Sequence, residues 1–256
     1  MRQLLSICRH EISLMRSHAI PVALYYLIPL AILAFVEGGF SVYLQLEDPS
    51  AGFSGADLAA PGQATMFGFM SLATVGFFFL GDHAWGTWNR VRALGVRPRR
   101  IMTGKLGVAY LNQLMIFVVV MGAATLLFGL TVRGSTVALI AVELVMALVI
   151  VGYGLIACSL ARNQAEFNAF SYLGALVLAG LGGALTPFET LPQWAQTIAP
   201  LTPTYWSVRA FSIVILDGGG LADVSEELLV LALFAAVFFL VVSRLFDASK
   251  RRTTWA

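Results

Sequence analysis

The residues with the clearest potential for chemistry lie in one basic run between Trp85 and Lys105. This run reads WGTWNRVRALGVRPRRIMTGK, and its Gly104-Lys105 pair resembles the end of a phosphate-binding loop. Such a loop requires the pattern G-x-x-x-x-G-K-[ST], in which glycines let backbone N–H groups surround phosphates. Here Arg99 stands at the first glycine position and Leu106 follows the lysine. The sequence therefore predicts no nucleotide site on this chain.

The same run has the residue types that bind single-stranded nucleic acid. Its arginines would suit phosphate contacts, and Trp85 and Trp88 would suit stacking on bases. However, the formal net charge of the whole chain is only +2, and the run is short and lies between two apolar segments. Basic residues accumulate in such loops for reasons of membrane topology alone. We therefore expect no nucleic-acid partner.

Metal-dependent and nucleophilic chemistry are not supported by the remaining motifs. His10-Glu11 begins like the zinc motif H-E-x-x-H, but Leu14 occupies the second ligand position. The chain has three histidines and two cysteines, Cys8 and Cys158, with no metal-ligand spacing among them. No G-x-S-x-G turn is present. We expect no metal, no catalytic residue, no cofactor on this chain and no enzymatic activity of its own.

Composition indicates a membrane protein. Hydrophobic residues make up 59% of the 256 residues and charged residues 12%, and the mean hydropathy is +0.83. Soluble domains contain about 25% charged residues. Apolar segments near the length of about 20 residues that a bilayer requires predict an all-α protein with six transmembrane helices in a single domain, residues 1–256. The predicted spans are 20–41, 64–81, 107–130, 135–160, 167–185 and 228–246.

The distribution of basic residues predicts the orientation. Of the 16 Lys and Arg residues, only Arg133 and Arg209 fall on predicted outer segments. Cytoplasmic loops carry an excess of Lys and Arg, so both termini and the loop 82–105 are expected on the cytoplasmic side. Within that loop, Arg97, Arg99 and Arg100 are expected to contact lipid phosphates, and Gly104-Lys105 to form the turn into the third span.

The segment 1–19 has the pattern of an amphipathic helix. Leu4, Cys8, Ile12 and Met15 recur at helical spacing, while the arginines repeat on a different face. Such a helix would lie at the membrane surface with its arginines near anionic head groups. A plain membrane anchor and a partner-docking element both fit this pattern.

The connection between the fifth and sixth predicted spans, residues 186–227, is unusual. It holds four of the nine prolines and two apolar stretches, 191–201 and 204–216, that are too short to cross a bilayer. Irregular backbone at membrane depth must be buried in protein or face a water-filled cavity. We therefore predict outer re-entrant helices that form a compact cap. The preceding span carries Ala175, Ala179 and Gly183 at four-residue spacing, which predicts a helix-packing face.

Three charged residues, Glu37, Glu143 and Arg209, are predicted within or beside the spans. Acids inside a membrane are costly and usually mark a site or a buried pair. Glu143 lies in the outer half of the fourth span, where Arg133 and Arg209 are the nearest plausible cations. Both a structural pair and contact with substrate or protons fit Glu143. Glu37 is expected at the membrane interface.

Taken together, these features resemble the integral-membrane permeases of type-2 ATP-binding-cassette (ABC) exporters. One motif combines Gly86-Thr87, Arg90, Arg92, Leu94, Pro98 and Gly104-Lys105 ahead of the third span. The other is TPFETLPQWAQTIAPLTPTYWSVRA, with Thr186-Pro187, Leu191-Pro192, Trp194, Pro200 to Pro203 and Tyr205. The resemblance covers nearly the whole chain.

The resemblance implies a specific division of labour. ATP and Mg²⁺ would sit in a separate ATP-binding subunit, present in two copies, and the permease would pair with a second copy of itself or a related permease. The coupling contacts would come from Trp85, Gly86, Thr87, Trp88, Arg90 and Arg92, and an outer re-entrant gate from Pro187, Pro192, Trp194, Pro200, Pro203 and Tyr205. The function implied is export of a hydrophobic or amphiphilic compound (drug, antibiotic, lipid or glycolipid) across a bacterial cell membrane. The alternative is a proton-coupled secondary transporter that uses Glu143.

Overall fold

A computed structural model describes residues 2–17, 19–47, 49, 52–84, 86–95 and 98–245. Its regular structure in these ranges is entirely helical. The α-helices are α1 (Arg2–Ser17), α2 (Ala19–Glu47), α3 (Gly55–Ala84), α4 (Thr87–Ala93), α5 (Pro98–Phe128), α6 (Thr136–Leu160), α7 (Gln164–Leu181), α8 (Gln193–Ile198), α9 (Pro203–Ile215) and α10 (Ser225–Leu245). Short 3₁₀ turns, Phe188–Thr190 and Ala199–Leu201, flank α8.

Each of the six predicted spans overlaps one of the long helices α2, α3, α5, α6, α7 and α10, although 107–130 and 167–185 run past the ends of α5 and α7 and residue 246 lies outside the described residues. Four helical segments within the described ranges are long and apolar enough to cross a membrane: Ala23–Leu46, Arg100–Phe128, Thr136–Leu160 and Ser225–Leu245. α3 and α7 are not among these four. α7 has only 18 residues and opens with the polar residues Gln164, Glu166 and Asn168. The chain is thus an all-helical protein with at least four apolar helices of membrane-crossing length.

Helix α3 lies at the centre of the bundle, where it contacts α2, α5, α6, α7 and α9. Small residues on α3 let its neighbours approach closely. Gly62 lies directly against the backbone of Ala184, where an added Cβ would come within 2.5 Å of the carbonyl oxygen. Gly76 lies against the ring of Phe167, which is itself buried. Close approach through small residues is a common way for membrane helices to pack, since lipid supplies no hydrophobic drive between helices.

The predicted packing face on the fifth span is confirmed. Ala175 and Ala179 are fully buried, and the neighbouring Gly174 lies against the hydroxyl of Tyr153 on α6. Gly183 follows the end of α7 with φ +77°, a left-handed conformation that suits glycine. The small residues therefore serve helix packing and then the sharp turn into the next segment.

One local expectation differs from the structure. Gly104 and Lys105 do not form a turn into the third span, because α5 begins earlier, at Pro98, and runs unbroken through both residues. Proline is favoured in the first helical turn, since its missing N–H would have no helical partner there. The lysine is thereby placed on the side of a helix, where it faces another element.

Candidate functional site

The short helix α4 and the turns that flank it form the first candidate site. Gly86 precedes α4 with φ +70° and Gly95 follows it with φ +79°, so glycine permits the reversal of the chain at both ends. The backbone N–H of Leu94 donates to the carbonyl of Arg90, 3.2 Å, and closes the last turn. The result is a seven-residue helix held between α3 and α5.

The predicted coupling residues lie on or beside this helix. Gly86 and Thr87 are half-buried at its start, and Arg90 is exposed. Trp88 and Arg92 contribute to the helical backbone of α4, and Trp85 lies outside the described residues. An exposed arginine on a short helix can make bidentate contacts with a carboxylate of another protein.

A buried ion pair joins α1 to α5 at the same end of the bundle. Lys105 Nζ donates to Glu11 Oε1 at 2.6 Å, and the two side chains are only 6% and 7% exposed. One turn away, the Cys8 thiol points to the carbonyl oxygen of Gly104, 3.8 Å. The sequence analysis did not predict that Glu11 and Lys105 pair with each other. The sequence could have indicated a buried partner for Glu11, because Glu11 lies on the same helical face as Cys8, within the otherwise apolar stripe.

We call residues 186–227, at the opposite end of the bundle, the capping segment. α8 has 6 residues and α9 has 13, so even α9 extends only about 20 Å at 1.5 Å per residue. Neither can cross a hydrocarbon core about 30 Å thick.

The prolines of the capping segment define the starts of its short elements. Pro187 precedes the first 3₁₀ turn and Pro192 precedes α8. Pro200 lies in the second 3₁₀ turn, and Pro203 is the first residue of α9, whose N-cap is Thr202. Trp194 is exposed, whereas Tyr205 is half-buried with its ring centroid 5.0 Å from that of Phe188. The predicted gate residues thus belong to one continuous, folded segment.

Side-chain hydrogen bonds attach this segment to several helices of the bundle. The Tyr43 hydroxyl on α2 donates to Glu189 Oε2, 3.0 Å. The hydroxyls of Thr65 on α3 and Ser207 on α9 are 3.2 Å apart and buried. The Thr204 hydroxyl donates to the carbonyl of Leu178 on α7. The segment is therefore packed against the bundle, and these hydrogen bonds attach it to α2, α3 and α7.

Arg209 pairs with Glu227 and not with Glu143. Arg209 Nε lies 3.1 Å from Glu227 Oε1, and the guanidinium lies 5.5 Å from the centre of the Trp206 ring. Arg133, the other cation considered for Glu143, lies 4.0 Å from the centre of the Phe53 ring. Glu143 is buried on α6, and within the described residues no ion pair joins it to Arg209. Arg209, one of the two cations considered for Glu143, is therefore engaged elsewhere, because α9 directs it toward the first turn of α10.

Glu37 takes part in a chain of hydrogen bonds between α2 and α3. Its Oε1 accepts from the Ser41 hydroxyl, 2.8 Å, and the Ser41 oxygen accepts from the backbone N–H of Gly55, 2.7 Å. Gly55 is required here, since a Cβ would lie 1.9 Å from the Glu37 carbonyl oxygen. Glu37 is half-buried and its role is structural in this arrangement.

Asp57, which the sequence did not single out, joins two loops at the capped end. It is buried, and its carboxylate accepts from the backbone N–H groups of Ser54 and Thr131, both 2.9 Å. Burial raises the pKa of Asp57 above its ordinary value, although the two N–H donors and the charge of Arg133 act in the opposite direction. The sequence could have indicated the bond to Ser54, because the spacing Ser-x-x-Asp at the start of α3 is that of a capping box.

Comparisons with known proteins agree with this architecture. Residues 2–216 match the model of the family described as ABC-2 type transporter. The linearmycin resistance permease protein LnrN of Bacillus subtilis (strain 168) is 24% identical over 196 residues, which is 76% of this chain and 51% of that protein. The chain thus spans about half the length of this curated relative. Since the family match covers well over half of the residues and the fold supplies apolar helices of membrane-crossing length, the chain belongs to the ABC-2 type transporter family and is a multi-pass membrane permease.

Proposed function

We propose that this chain is the permease subunit of an ATP-driven exporter in a bacterial cell membrane. The observation that carries the proposal is the family match over residues 2–216, together with a short helix, α4, that lies between two bundle helices and has Arg90 exposed. In the proposed arrangement α2, α3, α5, α6, α7 and α10 cross the membrane, both termini and α4 face the cytoplasm, and the capping segment forms re-entrant helices on the outer side. Two permease copies, or one copy and a related permease, would form the pathway.

ATP and Mg²⁺ would be held by a separate ATP-binding subunit that docks on α4. The docking contacts would be made by Arg90 and by the other residues of the stretch 85–92, since arginines and tryptophans contribute strongly to protein interfaces. The movement of that subunit would pass from α4 into α5, which begins only five residues after α4 ends. The Lys105–Glu11 pair would make α1 follow the same movement.

The proposed substrate class is a hydrophobic or amphiphilic compound, and an antibiotic is favoured within that class. The name of the Bacillus relative associates that protein with resistance to linearmycin. The apolar surface of the helices suits a cargo that partitions into the bilayer before or during transport.

Purification from the native host tests the coupling role of α4. A tagged chain should retain a Mg²⁺-dependent ATPase, whereas the chain purified alone should bind no ATP. Replacement of residues 86–92 by a neutral Gly-Ser linker should remove the ATPase from the preparation. Replacement of residues 218–222 by the same type of linker, at the opposite end of the bundle, is the matched control. An ATPase that still co-purifies after the first replacement would refute docking at α4.

A proton-coupled transporter is the second candidate, because Glu143 is a buried acid on α6 that forms no ion pair with Arg209 in the part of the chain that the structure describes. Acids in that situation often carry protons in transporters. Transport by reconstituted vesicles without ATP, lost on collapse of the proton gradient and in Glu143→Gln, would support this candidate. Transport that depends on ATP and is unchanged by Glu143→Gln would exclude it.

A further inference from the structure

A pocket at the capped end of the bundle has no role in the proposed coupling mechanism. It has a volume of about 310 Å³ and lies between the end of α7, the first 3₁₀ turn and α9. The rings of Phe188 and Tyr205 form one wall, with centroids 5.0 Å apart. Gly182 and Gly183 form part of the lining, so backbone rather than side chains borders the pocket there.

One positive group faces this pocket and is held firmly in place. Arg209 lines the pocket, with its Nε 3.1 Å from the buried Glu227 Oε1 and its guanidinium beside the Trp206 ring. The Arg209 side chain is 43% exposed, whereas that of Glu227 is 2% exposed. Because only Nε is used in the ion pair, the two terminal NH₂ groups of the guanidinium are available to a ligand.

One negative group faces the same pocket. Glu189 lines it, and its Oε2 accepts from the Tyr43 hydroxyl at 3.0 Å, which fixes the carboxylate from the side of α2. Glu189 forms no ion pair with Arg209 in the described structure. Two opposite charges that border one pocket normally attract each other, and more strongly where little water intervenes. Here Glu227 and Tyr43 hold them apart, which leaves two charged positions for a ligand to contact.

We propose that this pocket binds a phosphoethanolamine group, the zwitterionic headgroup of phosphatidylethanolamine. The phosphate contacts the terminal NH₂ groups of Arg209, which suit bidentate phosphate binding. The ammonium contacts the Glu189 carboxylate and the faces of Phe188 and Tyr205, since aromatic rings attract cations. Arg209, Glu227 and Glu189 together carry a net charge of about −1, so a simple anion is disfavoured and a group with its own ammonium is preferred.

The same headgroup chemistry has two sources, the membrane lipid and free phosphoethanolamine. The apolar side chains of Leu58 and Val208 also line the pocket and offer contact to the glycerol and upper acyl carbons of a lipid. The inference does not depend on ATP coupling, because it rests on the pocket alone.

Calorimetric titration of the full chain in detergent tests the proposal. The probes are dihexanoyl phosphatidylethanolamine, dihexanoyl phosphatidylglycerol and free phosphoethanolamine. The first should bind at least about tenfold more tightly than the second, the expected value of one charge-assisted contact. Tighter binding of the lipid than of free phosphoethanolamine assigns the source to the membrane, and equal binding assigns it to the soluble compound. Equal binding of the two lipids, or no binding of either, would overturn the proposal.

Charge reversal provides a readout that misfolding cannot imitate. In Glu189→Lys the pocket has two cations, so the preference should switch from phosphatidylethanolamine to phosphatidylglycerol. Glu226→Lys is the matched control, since Glu226 is exposed in the first turn of α10 and does not line the pocket. It makes the same change in net charge and should keep the original preference. An unchanged preference in Glu189→Lys, or the same switch in both variants, would contradict a site at this pocket.

Discussion

Lys105 Nζ lies 2.6 Å from Glu11 Oε1, and this ion pair is buried between the first helix of the chain and the start of α5. A buried pair adds little net stability over an apolar pair, but loss of one partner leaves an unpaired charge. We therefore expect Lys105→Met, which leaves the buried Glu11 carboxylate without this cation, to lower the free energy of unfolding by about 3–5 kcal/mol, and Glu11→Gln to lower it as well. Thermal unfolding in detergent measures this.

The double variant Glu11→Gln/Lys105→Met separates a charge effect from a packing effect. Since it removes both charges, it should be much more stable than either single variant. Arg9→Gln is the surface control, because Arg9 is exposed on the same helix. Additive losses in the double variant would show that the two side chains do not act as a pair.

The pair between Arg209 and Glu227 should respond unequally to loss of its two partners. Glu227 is buried and its Oε2 has no hydrogen-bond partner within the described structure, whereas Arg209 is partly exposed to solvent or head groups. Arg209→Gln leaves a buried carboxylate and should destabilise the protein by about 3 kcal/mol. Glu227→Gln leaves a cation that can be solvated and should cost about 1 kcal/mol. Chemical unfolding of both variants checks this order, and the reverse order would be incompatible with the burial of Glu227.

Gly62→Ala tests the close contact between α3 and the turn after α7. The added Cβ would meet the backbone of Ala184, which cannot rotate away, so we expect a loss of about 1–3 kcal/mol. Gly122→Ala on α5 is the control, because nothing lies within 4 Å of its added Cβ. That change should stabilise the protein slightly through helix propensity. Equal midpoints of unfolding for the two variants would argue against the contact.

Asp57 predicts a pH dependence of stability. Because burial raises its pKa, the folded protein binds this proton more tightly than the unfolded chain does. The resulting stabilisation is complete below the pKa of the unfolded state and is lost as the pH rises through the higher pKa of the folded state. Unfolding measured across the acidic range should show this decline in the wild-type chain.

Asp57→Asn provides the comparison, since an amide cannot titrate. The variant should lack this component of the pH dependence, whatever its absolute stability. A wild-type chain that instead gains stability with rising pH in the same range, with the gain lost in the variant, would mean that the N–H donors of Ser54 and Thr131 outweigh burial.

Several features of the fold were predictable because they depend on local composition. Long apolar runs locate the helices that carry the predicted spans, and spacing of Ala175 and Ala179 identifies a face that is buried. Pro203 is the first residue of α9, since proline fits the first helical turn, and Pro192 immediately precedes α8. The expectations of no phosphate loop and no zinc site, which rest on Arg99 and Leu14, stay predictions.

The sequence by itself determined the helical class, the membrane character and the short cap, because hydrophobic length and proline position act on neighbouring residues. Only the tertiary structure decided which charges meet. Glu11 and Lys105 are far apart in the chain, as are Arg209 and Glu227, and their pairing depends on which helices pack side by side and at what rotation. Arg209 was one candidate partner for Glu143 and instead pairs with Glu227 for the same reason: an ion pair requires a distance of a few ångströms, which spacing along one helix cannot specify for another.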